Sequence, residues 1–198
     1  MSAARPIDRV EGTAIPLRGD NIDTDRIIPA RFLKAITFSG LGEHVFADDR
    51  RSMPGHPFAD PAYTGAQVLL VNENFGSGSS REHAPQALMR WGIGACVGQS
   101  FSEIFLANAT TIGLPCLTAA RDDIESLMKA AEKEPASPVV VSVRDLSLTA
   151  AGRTAKLHLP PAIRDAFLTG QWDATGLLLH RFENVRQVAS RLPYLTGF

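Results

Sequence analysis

The sequence predicts an α/β protein with a mixed sheet, and two observations carry this prediction. In the middle of the chain, short apolar runs alternate with helical patterns in the order strand, loop, helix, strand, helix, strand. Further runs rich in β-branched residues follow, and helical patterns end the chain. Alternating strand and helix units favour a sheet that is covered by helices.

The first half of the chain combines short elements with long loops. The run at 13–17 predicts a strand, and one helical turn is predicted at 31–35. The Pro- and Gly-rich stretch 52–65 predicts irregular loop. Residues 66–72 show no polar alternation, which is typical of a strand buried on both faces. A glycine–serine loop follows, and then a predicted helix over about 81–91.

The second half contains more regular patterns. It predicts strands over 94–98, 114–117, 138–143, 146–150 and 154–159, and helices over 102–111, 122–133, 163–170 and most of 172–195. In the helix over 102–111, Ile104, Phe105 and Ala109 fall on one face. We expect a single domain over 1–198, with a core at about 10–160 and a C-terminal helical extension at about 161–198.

Composition and charge exclude several classes of function. The chain has 198 residues, 44% of them hydrophobic, and 20 basic against 21 acidic side chains give a net charge of −1. Because the basic residues form no block, we expect neither nucleic acid nor an anionic membrane as a partner. No apolar run approaches the ~18 residues of a membrane span. A cytoplasmic protein is expected.

The cysteines and histidines do not predict a metal site in this chain. Cys96 and Cys116 both lie in apolar surroundings and are expected to be buried thiols. No C-x-x-C motif is present, and His44, His56, His158 and His180 have no metal-ligand spacing. We expect these histidines to be structural or surface residues.

The stretch Asn74 to His83, NFGSGSSREH, contains more polar and charged residues than a simple turn requires. Gly76 and Gly78 permit positive φ angles and close approach of the backbone. Ser79 with Glu82 three residues later fits a capping box. However, Pro85 would then lie in the helix interior, so the helix is expected to begin nearer Ser80 or Arg81 and leave the Ser79 hydroxyl free.

Several interpretations of this loop compete. A P-loop requires a lysine that is missing here, and a hydrolase elbow requires a G-x-S-x-G spacing that is also missing. A carboxylate-binding loop requires hydroxyls, backbone N–H groups and an arginine, and the loop supplies all three. A capped helix that follows a glycine-rich turn remains the structural alternative.

Three stretches in order resemble one family. The run NFGSGSSREHAPQAL at 74–88 resembles the signature of the aconitase superfamily's swivelling domain, and more narrowly of 3-isopropylmalate dehydratase small subunits. The block NIDTDRIIP at 21–29 and the run SFSEIFLANATTIGLPCL at 100–117 are similar to the blocks that flank it. Many of these subunits have cysteine where this chain has Ser77.

This resemblance implies a β/β/α swivelling fold and a hydro-lyase that isomerises 2-isopropylmalate to 3-isopropylmalate through isopropylmaleate in leucine biosynthesis. It implies a large catalytic subunit as partner, in a heterodimer or heterotetramer. A [4Fe-4S] cluster is expected on that partner, and no cofactor is expected on this chain.

The resemblance also implies roles for particular residues. Ser79 would be the base that removes a proton, as an alkoxide stabilised by helix N-terminal amides and by Arg81. Ser80 and Arg81, with Gly78 and Ser77, would bind the substrate carboxylate. Asp25 would have an orienting role, and surface Asx turns are the alternative for its block. His83 could serve catalysis or helix packing.

The substrate side chain remains open. Phe32, Leu33, Ile36 and Phe38 are hypothesised to contact an isopropyl group, whereas Arg31 and Lys34 are expected to be solvated. Homoaconitate, dimethylmalate and methyl-substituted malates or maleates are alternative substrates of the same fold. A non-catalytic swivel-fold binding module is an alternative of another class.

Overall fold

The computed structural model describes residues 5–34 and 37–195. The strands are β1 (Arg9–Gly12), β2 (Ala14–Leu17), β3 (Val68–Val71), β4 (Ala95–Gly98), β5 (Cys116–Thr118), β6 (Val139–Ser142), β7 (Ser147–Ala150) and β8 (Arg153–Lys156). The α-helices are α1 (Thr24–Ile27), α2 (Ala47–Ser52), α3 (His83–Trp91), α4 (Glu103–Thr111), α5 (Arg121–Lys133), α6 (Pro161–Thr169), α7 (Ala174–His180) and α8 (Phe182–Ala189). Short 3-10 helices cover Ala30–Lys34, Leu41–His44, Pro57–Ala59, Pro61–Tyr63 and Pro193–Leu195.

The strands form two sheets, which confirms the α/β class. One sheet is parallel, in the order β2-β3-β4-β5, and the other is antiparallel, in the order β1-β6-β7-β8. The two strand directions of the expected mixed sheet therefore occupy separate sheets. Thr13 alone separates β1 from β2, so this short segment passes from the antiparallel sheet into the parallel one.

The parallel sheet lies at the centre of three layers. On one face, Ile15, Leu69 and Cys96 belong to a buried cluster that includes side chains of α1, α3 and α4. On the other face, Val68 and Val97 pack in a second cluster with α5, α6 and the antiparallel sheet. Burial on both faces explains why the strand sequences lack polar alternation.

Several elements differ from the sequence-based expectation. The strand β1 and the helix α2 were not predicted, since both are only four to six residues long and carry mostly polar side chains. In α4, Phe105 and Ala109 are buried as expected, but Ile104 is 47% exposed. Ile104 is adjacent to Phe105 in sequence, so its side chain points about 100° away around the helix.

The C-terminal segment has two different parts. The helix α6 buries Phe167 completely, and the Phe167 carbonyl accepts a hydrogen bond from the Ile7 amide. In contrast, α8 buries no side chain against the rest of the described chain, and Val185 and Val188 on its apolar face remain exposed. No helix among the described residues has the length and apolarity needed to cross a bilayer.

Candidate functional site

The serine-rich loop lies at the carboxyl edge of the parallel sheet. The segments that follow β2, β3 and β4 meet there, through parallel bridges between Asp23 and Ser77 and between Phe75 and Phe101. Three parallel neighbouring strands end at the same edge, so their loops converge, and this edge is the usual ligand-binding position of α/β sheets. The site is therefore built from segments distant in sequence.

Backbone hydrogen bonds hold the loop between its two neighbours. The Gly76 amide donates to the Ile22 carbonyl at 2.8 Å, and the Phe75 amide donates to the Ser100 carbonyl at 3.1 Å. Asn21 and Asn74 both adopt left-handed conformations, and the Asn74 side-chain amide donates to the Asn21 side-chain oxygen at 2.8 Å. The loop is thus fixed on both sides.

The two glycines of the loop are required for different reasons. Gly76 has a φ of 76°, and a Cβ atom there would lie 2.3 Å from Cγ of Phe105. Gly78 has a φ of 93°, but its nearest neighbours, in Asp23 and Thr24, would lie 3.5 Å from an added Cβ. Close packing excludes a side chain at Gly76, whereas backbone conformation disfavours one at Gly78.

The helix α3 begins later than its capping-box pattern predicted. Its N-cap is Glu82 rather than Ser79, Ser80 or Arg81, and no side chain caps it. The Glu82 carboxylate instead accepts a hydrogen bond from the Gln86 side chain at 3.0 Å. Pro85 is the third helical residue, where its missing N–H has no intrahelical partner to lose. Ser79 lies in the loop, as expected from the position of Pro85, whereas the capping box and a helix start at Ser80 or Arg81 are not observed.

The serines face solvent just before the positive end of α3. Gly78, Ser79 and Ser80 are exposed, and Gly78 and Ser80 make no hydrogen bond with any other residue in 5–34 or 37–195. The Ser79 hydroxyl likewise has no partner in the described part of the chain. Successive free N–H groups before a helix N-terminus form a concave donor surface suited to an anion.

Arg81 and Asp25 are brought together by the fold. Nη1 of Arg81 donates to Oδ1 of Asp25, and the side chains are 16% and 52% exposed, respectively. The ion pair leaves Asp25 accessible and holds the Arg81 guanidinium against α1. The geometry is compatible with the orienting role predicted for Asp25.

The neighbouring acidic residues Asp20 and Asp23 stabilise local structure. Asp23 is the N-cap of α1, and its carboxylate accepts from the Arg26 amide at 2.8 Å. The Asp20 carboxylate accepts from the Glu73 amide at 3.1 Å. The Asx-type alternative therefore applies to Asp20 and Asp23.

His83 and the aromatic residues near it pack together. The His83 ring contacts Phe38 edge to face, with centroids 5.1 Å apart, and Phe32 stacks on His44 at 4.0 Å. Phe32, Leu33 and Phe38 are half-buried against the core cluster of α3 and α4. The hypothesis about Ile36 falls outside the described residues.

Lys34 and Arg31, which were both expected to be solvated, have different surroundings. Lys34 is exposed, whereas Arg31 makes a bidentate ion pair with Asp48, with both distances at 2.7 Å. The hydrogen bond from Arg31 lowers the pKa of Asp48. Both partners remain about half exposed, so the pair contributes little to stability.

Within the described ranges, no group of three or more His, Cys, Asp or Glu residues is arranged to hold a metal ion. Cys96 and Cys116 face each other in register on β4 and β5 and are buried. Burial, together with the hydrogen bond that the protonated Cys116 thiol shares with Cys96, raises the pKa of Cys116. These two thiols are fewer than the four cysteine ligands of a [4Fe-4S] cluster.

Three residues that support the loop were missed by sequence reasoning. Thr24 donates from its hydroxyl to the Ser79 carbonyl at 3.0 Å, Ser102 donates to the Gly76 carbonyl at 2.5 Å, and Ser100 accepts from the Asn74 amide at 2.8 Å. Ser102 also caps α4, and that cap was the available signal. No local sequence pattern around Thr24 or Ser100 predicts their hydrogen bonds to the loop.

Comparison with known proteins agrees with this architecture. The Aconitase C-terminal domain family matches residues 4–122. The 3-isopropylmalate dehydratase small subunit of Synechocystis is 48% identical over 190 residues, covering 96% of this chain and 95% of that protein. The corresponding subunit of Thermus thermophilus is 47% identical over 189 residues, with coverages of 93% and 94%.

A solved structure is also similar. The crystal structure of 3-isopropylmalate dehydratase from Methanocaldococcus jannaschii has a TM-score of 0.66 and 27% identity, and covers 92% of this chain and 98% of that one. The two-sheet fold and the loop at its carboxyl edge thus define a domain of the aconitase C-terminal class. Within that class, the chain belongs to the family of 3-isopropylmalate dehydratase small subunits.

Proposed function

We propose that this chain is the substrate-closing subunit of a hydro-lyase that converts 2-isopropylmalate to 3-isopropylmalate in leucine biosynthesis. The observation that carries the proposal is the junction of Ser79, Ser80 and the Asp25–Arg81 ion pair at the carboxyl edge of the parallel sheet. The relatives that are named 3-isopropylmalate dehydratase small subunits align with this chain over nearly their whole length.

In this proposal, the loop residues bind and deprotonate the substrate. Ser80, Arg81 and the backbone of Gly78 and Ser77 bind a carboxylate, because N–H and hydroxyl donors and a guanidinium occur in consecutive residues of one loop. Ser79 acts as the base and takes the proton next to a carboxylate. A serine hydroxyl is a weak base, so its anion needs the nearby N–H groups, the positive end of α3 and Arg81.

Asp25 orients Arg81 in this scheme. Its hydrogen bond with Nη1 restrains the plane of the guanidinium group. The orientation of this plane determines whether Arg81 can form a bidentate pair with a carboxylate. His83 is assigned a packing role, since its ring contacts Phe38 and makes no hydrogen bond to a carboxylate or serine among the described residues.

The partner is proposed to be the large subunit of the dehydratase, in a heterodimer or heterotetramer. The membership of the family implies a large partner, and a [4Fe-4S] cluster on it would supply Lewis-acid chemistry for the leaving hydroxyl. This chain would hold no cofactor. A cytoplasmic location is proposed for the assembly.

The alkyl group of the substrate is proposed to contact Phe32, Leu33 and Phe38. These side chains are half-buried, and the Phe38 ring reaches His83 at the first position of α3. A shallow cavity of about 240 Å³ lies next to Phe32 and His44. Substitutions here should change the ratio of activities among substituted malates, and an unchanged ratio would remove this assignment.

We also propose that residues 1–198 form one swivelling domain with a helical extension after about residue 161. The support is that α6 packs in the same core as the two sheets through Phe167, whereas α8 does not.

The test is hydration of isopropylmaleate, followed by absorbance under anaerobic conditions. Purified chain alone should be inactive, and the complex with its large subunit should be active. A complex with an intact cluster that turns over dimethylmalate or homoaconitate but not the isopropyl compounds would reassign the substrate. A complex inactive on every diacid would favour a non-catalytic swivel-fold module.

A further inference from the structure

Thr24 occupies an unusual position beside the loop. It is 2% exposed and is the first residue of α1. Its backbone amide donates to the Ser77 carbonyl at 2.9 Å, and its hydroxyl donates to the Ser79 carbonyl at 3.0 Å. One buried residue thus holds the carbonyl groups on both sides of Gly78.

These two hydrogen bonds restrain the most adjustable point of the loop. Gly78 has a φ of 93° and makes no hydrogen bond with any other described residue. Glycine explores a wider range of backbone angles than other residues, so the loop would be free to reorient at this point. Fixing the carbonyls of residues 77 and 79 limits that freedom and determines the direction in which the Ser79 side chain leaves the backbone.

Thr24 is also next to the residue that holds Arg81. Asp25 follows it in α1 and forms the ion pair with Arg81. A single turn of helix therefore sets the positions of Ser79 and Arg81 relative to each other. Its N-terminus is capped by Asp23, and the Thr24 carbonyl accepts from the Ile28 amide at 3.0 Å, so the turn is itself well anchored.

We propose that Thr24 is a positioning residue of the reaction, whose hydroxyl holds the Ser79 carbonyl and thereby aims the Ser79 hydroxyl at the substrate. This inference rests on the proposed function for its catalytic consequence. Its structural part, the restraint of residues 77–80 by the Thr24 hydroxyl, stands independently.

The role is separable from a contribution to folding. Ser79 is exposed, so water can replace the lost hydrogen bond to its carbonyl, and the fold should survive removal of the hydroxyl. A methyl group in place of the hydroxyl cannot approach the carbonyl oxygen to 3.0 Å, so the loop must move away. Catalysis is sensitive to displacements of this kind, since about 1 Å of misplacement can cost ~10²-fold in rate.

The experiment compares Thr24→Val and Thr24→Ser in the complex with the large subunit. Val keeps the shape but loses the donor, whereas Ser keeps the donor. We expect Thr24→Val to lower kcat by about ten- to hundredfold with KM changed less than about threefold, and Thr24→Ser to retain kcat within about threefold. Equal loss in both variants, or kcat within twofold of wild type for Thr24→Val, would overturn the proposal.

Hydrogen exchange of the loop peptide supplies a readout that does not depend on turnover. The protected amides that join the loop to its neighbours are those of residue 24, which donates to the Ser77 carbonyl, and of Gly76, which donates to the Ile22 carbonyl. Both should exchange faster in Thr24→Val than in wild type or Thr24→Ser, while α5 is unchanged. Unchanged loop exchange contradicts the positioning role. If the loop exchanges faster but the wild-type complex does not act on isopropylmalate, the proposed substrate fails and the restraint by Thr24 stands.

Discussion

Asp25 and Arg81 lie 56 residues apart in sequence and form an ion pair at the edge of the parallel sheet. The pair joins the segment after β2 to the segment after β3. Only 16% of the Arg81 side chain is exposed, compared with 52% of Asp25. Arg81 is therefore the more restrained of the two, and Asp25 defines where its guanidinium lies.

Asp25→Asn tests this relationship. Asn keeps the shape but loses the charge, so we expect kcat/KM of the complex to fall by about ten- to hundredfold, the scale of a charged hydrogen bond of about 1.5–3 kcal/mol. The matched control is Asp48→Asn, which breaks the exposed ion pair with Arg31 and should leave kcat/KM within about twofold. Equal effects of the two substitutions would show that Asp25 has no special role.

Ser79→Ala tests the base. We expect kcat to fall by about 10²–10⁴-fold with little change in KM, because the proton transfer is lost while the carboxylate donors remain. Ser126→Ala, on the exposed face of α5, is the control and should behave as wild type. Full turnover of the Ser79→Ala complex would contradict the assignment of Ser79 as the base.

The glycines predict a difference in stability. Gly76→Ala places a Cβ atom 2.3 Å from Phe105 at a φ of 76°, and should lower the free energy of unfolding by about 2–4 kcal/mol. Gly78→Ala meets only ordinary contacts and should cost about 1 kcal/mol, from its φ alone. Urea unfolding of the two variants measures the difference. Equal losses would mean that Phe105 moves aside at no cost.

His56 predicts a dependence of stability on pH. Its ring is 5% exposed, Nε2 has no partner in the described chain, and burial lowers the pKa of His56. The fold therefore favours the neutral ring, and the unfolded chain binds the proton more readily. Stability is complete above the ordinary histidine pKa of about 6.5 and is lost as pH falls through the folded-state value.

The variant His56→Asn isolates this contribution. Asn can accept from the Phe58 amide, as Nδ1 of His56 does at 3.3 Å, but it does not titrate. The difference in unfolding free energy between wild type and variant should be constant above about pH 7 and should shift against wild type below about pH 6. Parallel curves from pH 5 to 8 would contradict the titration of His56.

Truncation tests the proposed domain boundary. A chain ending at Trp172 keeps Phe167 in the core and the hydrogen bond from the Trp172 indole to the Arg5 carbonyl, at 3.3 Å. It should fold with a Tm within a few degrees of the full chain, as α8 buries no side chain against the described core. A chain ending at Asp165 loses Phe167 and should be destabilised by about 3–5 kcal/mol. Similar stabilities would place the core boundary before α6.

Local sequence predicted most elements because their signals are local. The apolar run of β3 lies within the segment that it defines, and so do Phe105 and Ala109, which share one face of α4. The predicted strands over 146–150 and 154–159 are likewise joined by a short turn, in which Ala151 and Gly152 adopt positive φ. Side-chain burial and capping act over only a few residues, so one stretch of sequence is enough to show them.

Other features depend on partners distant in sequence. The strand β1 exists because it pairs with β6, and the separation of the parallel and antiparallel strands depends on the whole topology. The beginning of α3 at His83 is similarly not encoded by the Ser79–Glu82 spacing. The Ser79 carbonyl instead accepts a hydrogen bond from the Thr24 hydroxyl, which lies 55 residues away in sequence.

The sequence by itself determined the fold class, the order of most elements and, through residues that resemble a family, the loop in which to look for the site. Tertiary structure alone decided that Asp25 pairs with Arg81, that Asp23 caps a helix instead, and that Thr24 restrains Gly78 and Ser79. The physical reason is that neighbouring strand ends converge in space, and only their convergence determines which polar side chains find partners.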